Sequence, residues 1–178
     1  MAPEVEVLMP ASLDEALAAK ARHGANAAFV AGGTDIVLQT RAGKRTARTL
    51  IRLPPRTGPA AREEQGVVLL SPFATMSELL GDPAVSRLPV LVKALSQIGS
   101  PQVRNAATLG GNLGNASPAG DNAPALLVYE AVLTLRSLRG DRAVPLEDFF
   151  VGPGRTVLSD DEVIAEVRVP APRQPEFG

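Results

Sequence analysis

The sequence predicts an α+β fold built from two subdomains. Three observations carry this. Before residue 54, short apolar runs alternate with capped helical segments, the order of a small parallel sheet. Residues 54–65, PPRTGPAAREEQ, are polar and proline-rich, as a surface connection is. The last third returns to apolar runs of strand length separated by turn residues. The boundaries expected are a β–α–β lobe over residues 1–55, a linker over 56–65 and a larger lobe over 66–178 with a mixed or antiparallel sheet.

In the first lobe, Val5 to Met9 reads as a strand. Ser12 and Glu15 form a capping-box pattern opening the helix LDEALAAKARH, which Gly24 ends. Ala27 to Val30 reads as a second strand, running into Gly32-Gly33. Thr34 reads as the N-cap of a helix, TDIVLQTRAG, and Arg48 to Leu53 as the next strand. In the second lobe, Gly66 to Leu70 reads as a strand. Thr75 and Glu78 repeat the capping box before a short helix, and a helix spans Leu88 to Ile98 up to Gly99. Asp121 reads as the N-cap of NAPALLVYEA. VLTLRS and VIAEVRVP read as strands, with Asp-Arg and Gly-Pro-Gly turns between them.

Composition removes several function classes. The 178 residues carry 18 basic and 19 acidic side chains, net charge −1, against the strong basic excess of a nucleic-acid binder. With five Phe, one Tyr and no Trp, the chain lacks a base-stacking surface. It has no cysteine and one histidine, so it offers neither disulfides, thiolate zinc sites, iron–sulfur ligation nor a histidine metal centre. No apolar run is long enough to span a bilayer, and MAPEVEVLMP lacks the regions of a signal peptide, so a cytoplasmic protein is expected. His23 falls in the last turn of a helix, where a cation complements the dipole. Asp14-Glu15 and Asp160-Asp161-Glu162 read as exposed caps and turns. No catalytic residue and no metal ligand is assigned.

From Arg41 to Arg62 seven basic residues occur without an acidic one. This is a solvated face, or a docking surface for an acidic or phosphate-rich partner.

The densest signal is glycine. AGGTD, residues 31–35, turns a strand toward a helix. TLGGNLGNASPAGDNAPAL, residues 108–126, holds four glycines and three asparagines. Glycine lets main chain approach a ligand without a Cβ in the way, and N–H groups at a helix start favour an anion. Two such loops facing each other could hold the two phosphates of a pyrophosphate. The P-loop and GxGxxG patterns are both absent. The residues alone leave a phosphorylated-ligand site and ordinary tight turns both open.

These stretches carry a family resemblance. AGGTDIVLQTRAG resembles the first flavin-binding loop, and IGSPQVRNAATLGGNLGNASPAGDNAPALL the second, of the medium, FAD-binding subunit of molybdenum hydroxylases, the family of xanthine dehydrogenase and aerobic carbon monoxide dehydrogenase. VPLEDFFVGPGRTVLSDDEVIAEVRVP is similar to the stretch closing that domain. The resemblance runs from Val5 to Pro170. It implies a two-subdomain FAD-binding fold of the vanillyl-alcohol-oxidase and molybdenum hydroxylase type, with FAD in the groove between lobes. Ala31, Gly32, Gly33, Thr34 and Asp35 would give backbone and side-chain donors to the pyrophosphate. Thr108, Gly111, Asn112, Asn115 and Ser117 would match the second loop. Asp121 would bond ribityl or adenosine hydroxyls, and Ile98 would sit near the flavin ring. Arg104 and Asn105 would hold the loop rather than touch the cofactor.

The resemblance also implies an oxidoreductase whose redox chemistry belongs to the cofactor. Electrons would come from iron–sulfur centres on a small partner subunit and leave to an external acceptor, with molybdopterin in a large partner subunit. Two rivals stand beside it: a non-catalytic docking module with a degenerate flavin fold, and a binder of another nucleotide diphosphate. The family normally continues into a further C-terminal domain, which is absent from these 178 residues. Ser71-Pro72 stands where the family more often has a glycine-containing turn, so a local change is expected there. AGGTD replaces the AGGHS typical of carbon monoxide dehydrogenases, pointing toward an aldehyde, purine or N-heterocycle hydroxylase.

Overall fold

Leu13–His23 folds as a helix because its small apolar residues recur on one stripe. Ala16, Leu17 and Ala19 are buried. Ser12 Oγ accepts the Glu15 N–H at 3.1 Å, while the Glu15 carboxylate takes the Ala11 N–H at 2.9 Å, one residue earlier than a capping box requires. Gly24 ends this helix, α1, at φ 55°, a conformation costly for other residues. The computed structural model describes residues 5–172. Residues 1–4 and 173–178, at the outer ends of the two expected lobes, lie outside them.

The helix α1 packs on a parallel sheet of β1 (Glu6–Leu8), β2 (Ala27–Val30) and β3 (Thr49–Arg52), in the order β1-β3-β2. Ala16, Ala19, Ala27 and Ile51 form its small core, with Leu8, Phe29 and Leu53 at the margin. Helix α2 (Ile36–Arg41) connects β2 to β3. It begins two residues after Thr34. Asp35 stands at the N-cap position in an αR conformation, and its side chain caps nothing. Thr34 is therefore a loop residue and not the cap expected of it.

Residues 61–64, inside the expected linker, form a strand, β4 (Ala61–Glu64), paired with β5 (Val67–Leu70). With β6 (Val132–Ser137), β7 (Gly140–Pro145) and β10 (Val163–Pro170) they make an antiparallel sheet ordered β4-β5-β10-β6-β7. Asp141-Arg142 lies within β7, so the turn falls at Leu138-Arg139 and not at the Asp-Arg pair. A short helix and hairpin follow: α8 (Leu146–Phe149; α3 to α7 are placed below), β8 (Phe150–Gly152) and β9 (Arg155–Thr156), with Gly152-Pro153-Gly154 turning between the last two.

Four helices cover one face of this sheet: α3 (Met76–Leu80), α4 (Pro89–Gln97), α6 (Leu109–Asn115) and α7 (Asn122–Val128). The single turn α5 (Pro101–Arg104) precedes α6. Thr75 and Glu78 complete the expected capping box on α3. Met76, Leu79, Leu91, Leu95, Leu109, Leu113 and Leu126 meet Val68, Leu70, Leu133, Leu135, Val167 and Val169 in one core. Burying each such side chain stabilises by about 1.5–3 kcal/mol. The architecture is α+β.

The segment LGGNLGN, expected as a loop, is the helix α6. Thr108 Oγ1 caps it by accepting the Gly111 N–H at 3.1 Å, and Leu109 and Leu113 anchor it in the core. Helix α7 starts where expected, after Asp121, although that side chain makes no capping bond.

Candidate functional site

The small parallel sheet and the large lobe meet along a cleft of about 310 Å³, near the lower end of the range for ligand pockets. One wall is the β2–α2 loop, residues 31–35. The second is α6 with its approach, Ala107 to Asn115. The third runs from the end of β9 toward β10, including Thr156, Leu158, Asp160 and Glu162.

The first two walls touch through glycine. A Cβ on Gly32 would lie 1.8 Å from the Ala106 carbonyl oxygen, so main chain here lies against main chain. Similarly, a Cβ on Gly110 would meet Pro72 at 2.9 Å. These two glycines serve the fold before any ligand. Gly33 takes φ 75° to turn the chain toward α2.

The donors of the two glycine segments differ sharply. At α6 the first-turn N–H groups are spent within the protein. Leu109 donates to Ala74 O, Gly110 to Pro72 O, Gly111 to Thr108 Oγ1 and Asn112 to Thr108 O. The expectation that backbone donors of both loops face a pyrophosphate is corrected here: α6 has none to spare in that turn. In the β2–α2 loop, among the described residues, no protein acceptor takes the N–H of Gly32, Gly33, Thr34 or Asp35. Four successive donors bordering a cleft form a concavity suited to an anion.

Side chains add to this. Asn112 Oδ1 accepts from the buried Asn122 Nδ2 at 3.2 Å, and Asn115 Oδ1 accepts from Gln39 Nε2 at 2.9 Å. Both asparagines thus have Nδ2 donors left for the cleft. Asp35 is exposed, and among the described residues its carboxylate accepts a hydrogen bond from the Thr34 hydroxyl alone, at 3.5 Å. A carboxylate accepts and does not donate, so its side chain suits a sugar hydroxyl and not a phosphate.

The third wall was not singled out from the sequence. Its acidic residues are structural, as expected, but Glu162 is buried and not exposed. Arg142 donates to it through Nε and a terminal nitrogen, both at 2.7 Å, and the Ser159 N–H at 2.8 Å. These donors hold its carboxyl below its ordinary value of 4.5. Asp160 is bound by Lys20 Nζ at 2.5 Å, and Asp161 pairs with Arg139. Lys20 is buried at the end of α1 and also donates to Gly24 O and Ala27 O. Only the family-like stretch over residues 144–170 could have pointed to this wall.

Of the residues assigned from sequence, Ala31, Gly32, Gly33, Thr34, Asp35, Thr108, Gly111, Asn112 and Asn115 line the cleft. Ile98, Ser117 and Asp121 are not among its lining residues. Ile98 ends α4 and packs on the core, Ser117 Oγ takes the Ala119 N–H, and Asp121 is exposed. Arg104 donates to Ile98 O and Gly99 O, and Asn105 accepts from Ser77, so both hold local structure. In the basic segment, Arg56 pairs with Glu78, and Arg62 with Glu64 and Glu166. Among the described residues, no group of three or more His, Cys, Asp or Glu is placed to hold a metal. No described helix is long and apolar enough to cross a membrane.

The chain is similar to several known proteins. The chain is 34% identical over 173 residues to the carbon monoxide dehydrogenase medium chain of Hydrogenophaga pseudoflava, covering 95% of this chain and 60% of that one. It is 35% identical over 150 residues to the nicotinate dehydrogenase FAD-subunit of Eubacterium barkeri, covering 82% and 51%. A solved structure of carbon monoxide dehydrogenase from Hydrogenophaga pseudoflava, lacking the Mo-pyranopterin moiety of its molybdenum cofactor, superimposes with a TM-score of 0.91 at 33% identity. It covers 97% of this chain and 61% of that one. The chain thus spans half to three fifths of the length of these relatives. Residues 3–172 match the family described as the FAD binding domain in molybdopterin dehydrogenase, and the chain belongs to that family.

Proposed function

We propose that this chain is the FAD-binding, electron-transferring part of a molybdopterin-dependent hydroxylase or dehydrogenase. It would act with a molybdopterin-binding large subunit and an iron–sulfur small subunit, in the cytoplasm, and pass electrons to an external acceptor. The observation that carries this is the row of unpaired backbone donors at residues 32–35, facing a second wall of small residues across a cleft. The proposed lobes are residues 1–55 and 66–178, with residues 61–64 of the connection between them joining the second lobe's sheet as β4.

The residues fit the cofactor. Donors of the β2–α2 loop would hold the pyrophosphate, with the Asn112 and Asn115 amides opposite. The Asp35 carboxylate would accept from a sugar hydroxyl. Gly111 lines the cleft, and beyond the Thr108 hydroxyl, 2.9 Å from where its Cβ would be, it leaves space that a larger side chain would fill. Bound FAD supplies the redox chemistry. The chain's residues bind and orient it, and the proposal assigns them no proton transfer. Similar identity to relatives named for carbon monoxide and for nicotinate leaves the substrate undivided, and the expected tilt away from carbon monoxide gains no support.

The test is a visible absorption spectrum of the purified chain before and after adding FAD and desalting. A retained flavin band at one equivalent is expected. A folded chain that retains none, in FAD excess, refutes the reading and favours the docking module. Displacement of FAD by NAD or a nucleotide sugar would favour the other nucleotide diphosphate.

A further inference from the structure

We propose that Arg45 is the cation that neutralises the diphosphate of the bound cofactor, and that Gln39 is its positioning residue. This rests on the FAD reading of the cleft and deepens it.

Among the described residues, Arg45 is the one lysine or arginine lining the cleft. A diphosphate brings negative charge, and neutral donors alone leave it uncompensated in a partly desolvated site. The acidic residues of the same cleft make the need larger. Asp160 and Glu162 are neutralised by Lys20 and Arg142, but Asp35 is not paired with a cation among the described residues.

Three features show that Arg45 is available for this. No carboxylate lies within ion-pair distance of it among the described residues, unlike Arg56, Arg62, Arg136, Arg139 and Arg142. Its Nε donates to Gln39 Oε1 at 2.7 Å, which leaves both terminal nitrogens free for the fork that a phosphate accepts. Gln39 in turn donates to Asn115 Oδ1 at 2.9 Å. The relay Arg45–Gln39–Asn115 joins the segment after α2 to the end of α6. It fixes a long, flexible side chain that solvent exposure would otherwise leave free. The same bond orients Asn115, so cation and amide are set together. The basic segment 41–62 thereby gains a specific member: its charge toward the cleft is concentrated in Arg45.

The experiment is a fluorescence titration of FAD and of riboflavin, at low and high salt, into the wild-type chain and three variants. Arg45→Ala should weaken FAD by about tenfold or more, the loss expected for a charge-assisted contact. It should also flatten the salt dependence and leave riboflavin, which has no phosphate, unchanged. Arg45→Lys should restore the salt dependence. Gln39→Leu should weaken FAD while keeping the salt dependence, because the charge remains. Wild-type affinity and salt dependence in Arg45→Ala overturn the proposal, as does an equal loss for riboflavin. A wild-type chain that binds riboflavin but not FAD also overturns it. Absence of any flavin binding by the wild type overturns the reading of the cleft itself, and this assignment with it.

Discussion

Gly32→Ala tests the close contact between two of the cleft walls. The new Cβ would lie 1.8 Å from Ala106 O, 2.7 Å from Ala106 C and 3.2 Å from Ala107 Cα. Ordinary contact begins at 3.4 Å, so the walls must separate by about 1.6 Å, the difference between those two distances. The obstacles are backbone atoms and cannot turn aside as a side chain would. The φ of Gly32 is not in the left-handed region, so steric overlap is the whole effect. Overpacking costs about 1–3 kcal/mol, and a backbone clash belongs near 3. For a chain of this size that lowers Tm by about 6–12 °C. Opening the walls also separates the donors at 32–35 from Asn112, so FAD affinity should fall about tenfold or more. Gly114→Ala is the control. It also lines the cleft, but its Cβ would be 3.7 Å from Leu158 Cδ1, an ordinary contact. Inside α6, alanine should stabilise by up to about 1 kcal/mol. Calorimetry and flavin titration read both variants. A Gly32→Ala chain with unchanged Tm and affinity would refute the close approach.

Gly111→Val should lose FAD binding while remaining folded: its Cβ would sit 2.9 Å from the Thr108 cap hydroxyl and its methyls would enter the cleft, at about 1 kcal/mol for the strained cap; stoichiometric FAD retained after desalting contradicts this. Glu162→Gln should destabilise by about 1.5–3 kcal/mol at pH 7, since the buried carboxylate accepts three donors. Because the folded carboxyl titrates below 4.5, the wild-type advantage is full above that pH and fades as pH falls through the folded value. Denaturant melts from pH 7 to pH 3 should converge for the two chains; parallel curves would show that charge is not the cause. Lys20→Met should cost about 2 kcal/mol by stranding the Gly24 and Ala27 carbonyls, and Asp160→Asn under about 1 kcal/mol, because Asp160 is 73% exposed. Equal losses in chemical denaturation would reverse that ranking of the ion pair below the carbonyls.

Local signals made the first lobe legible. Ser12, Gly24 and the apolar stripe of α1 are written within a few residues of one another, and so are its strands. The misses share a different cause. Strands β4 and β7 each bury a single residue, Ala61 and Val144, so AREE and GDRAVP carry no period for a reader to count. The helix α6 contains three glycines, each costing about 1 kcal/mol in a helix interior, so its sequence carries the signature of a loop. Leu109 and Leu113, four apart and buried, override that cost together with the Thr108 cap. The third wall depends on Lys20 reaching Asp160, 140 positions away, which no local pattern encodes.

The glycines show why the cleft was easier to find than to explain. A run of glycine marks close approach, but it does not say to what. All three line the cleft, but Gly32 and Gly110 answer to the protein's own backbone and to Pro72, while a Cβ on Gly111 would meet the Thr108 hydroxyl alone. Gly32 makes two of the walls meet, Gly110 seats α6 against Pro72, and Gly111 leaves room beyond the Thr108 hydroxyl. Substituting each type should therefore separate two effects that the sequence superimposes. Gly32→Ala should lower Tm and affinity together, because the wall itself moves. Gly111→Val should abolish affinity at a modest cost in Tm, because only the space is filled. A ratio of affinity loss to Tm loss that is the same for both would mean that the glycines serve one purpose, and that the cleft is a by-product of packing and not a binding site.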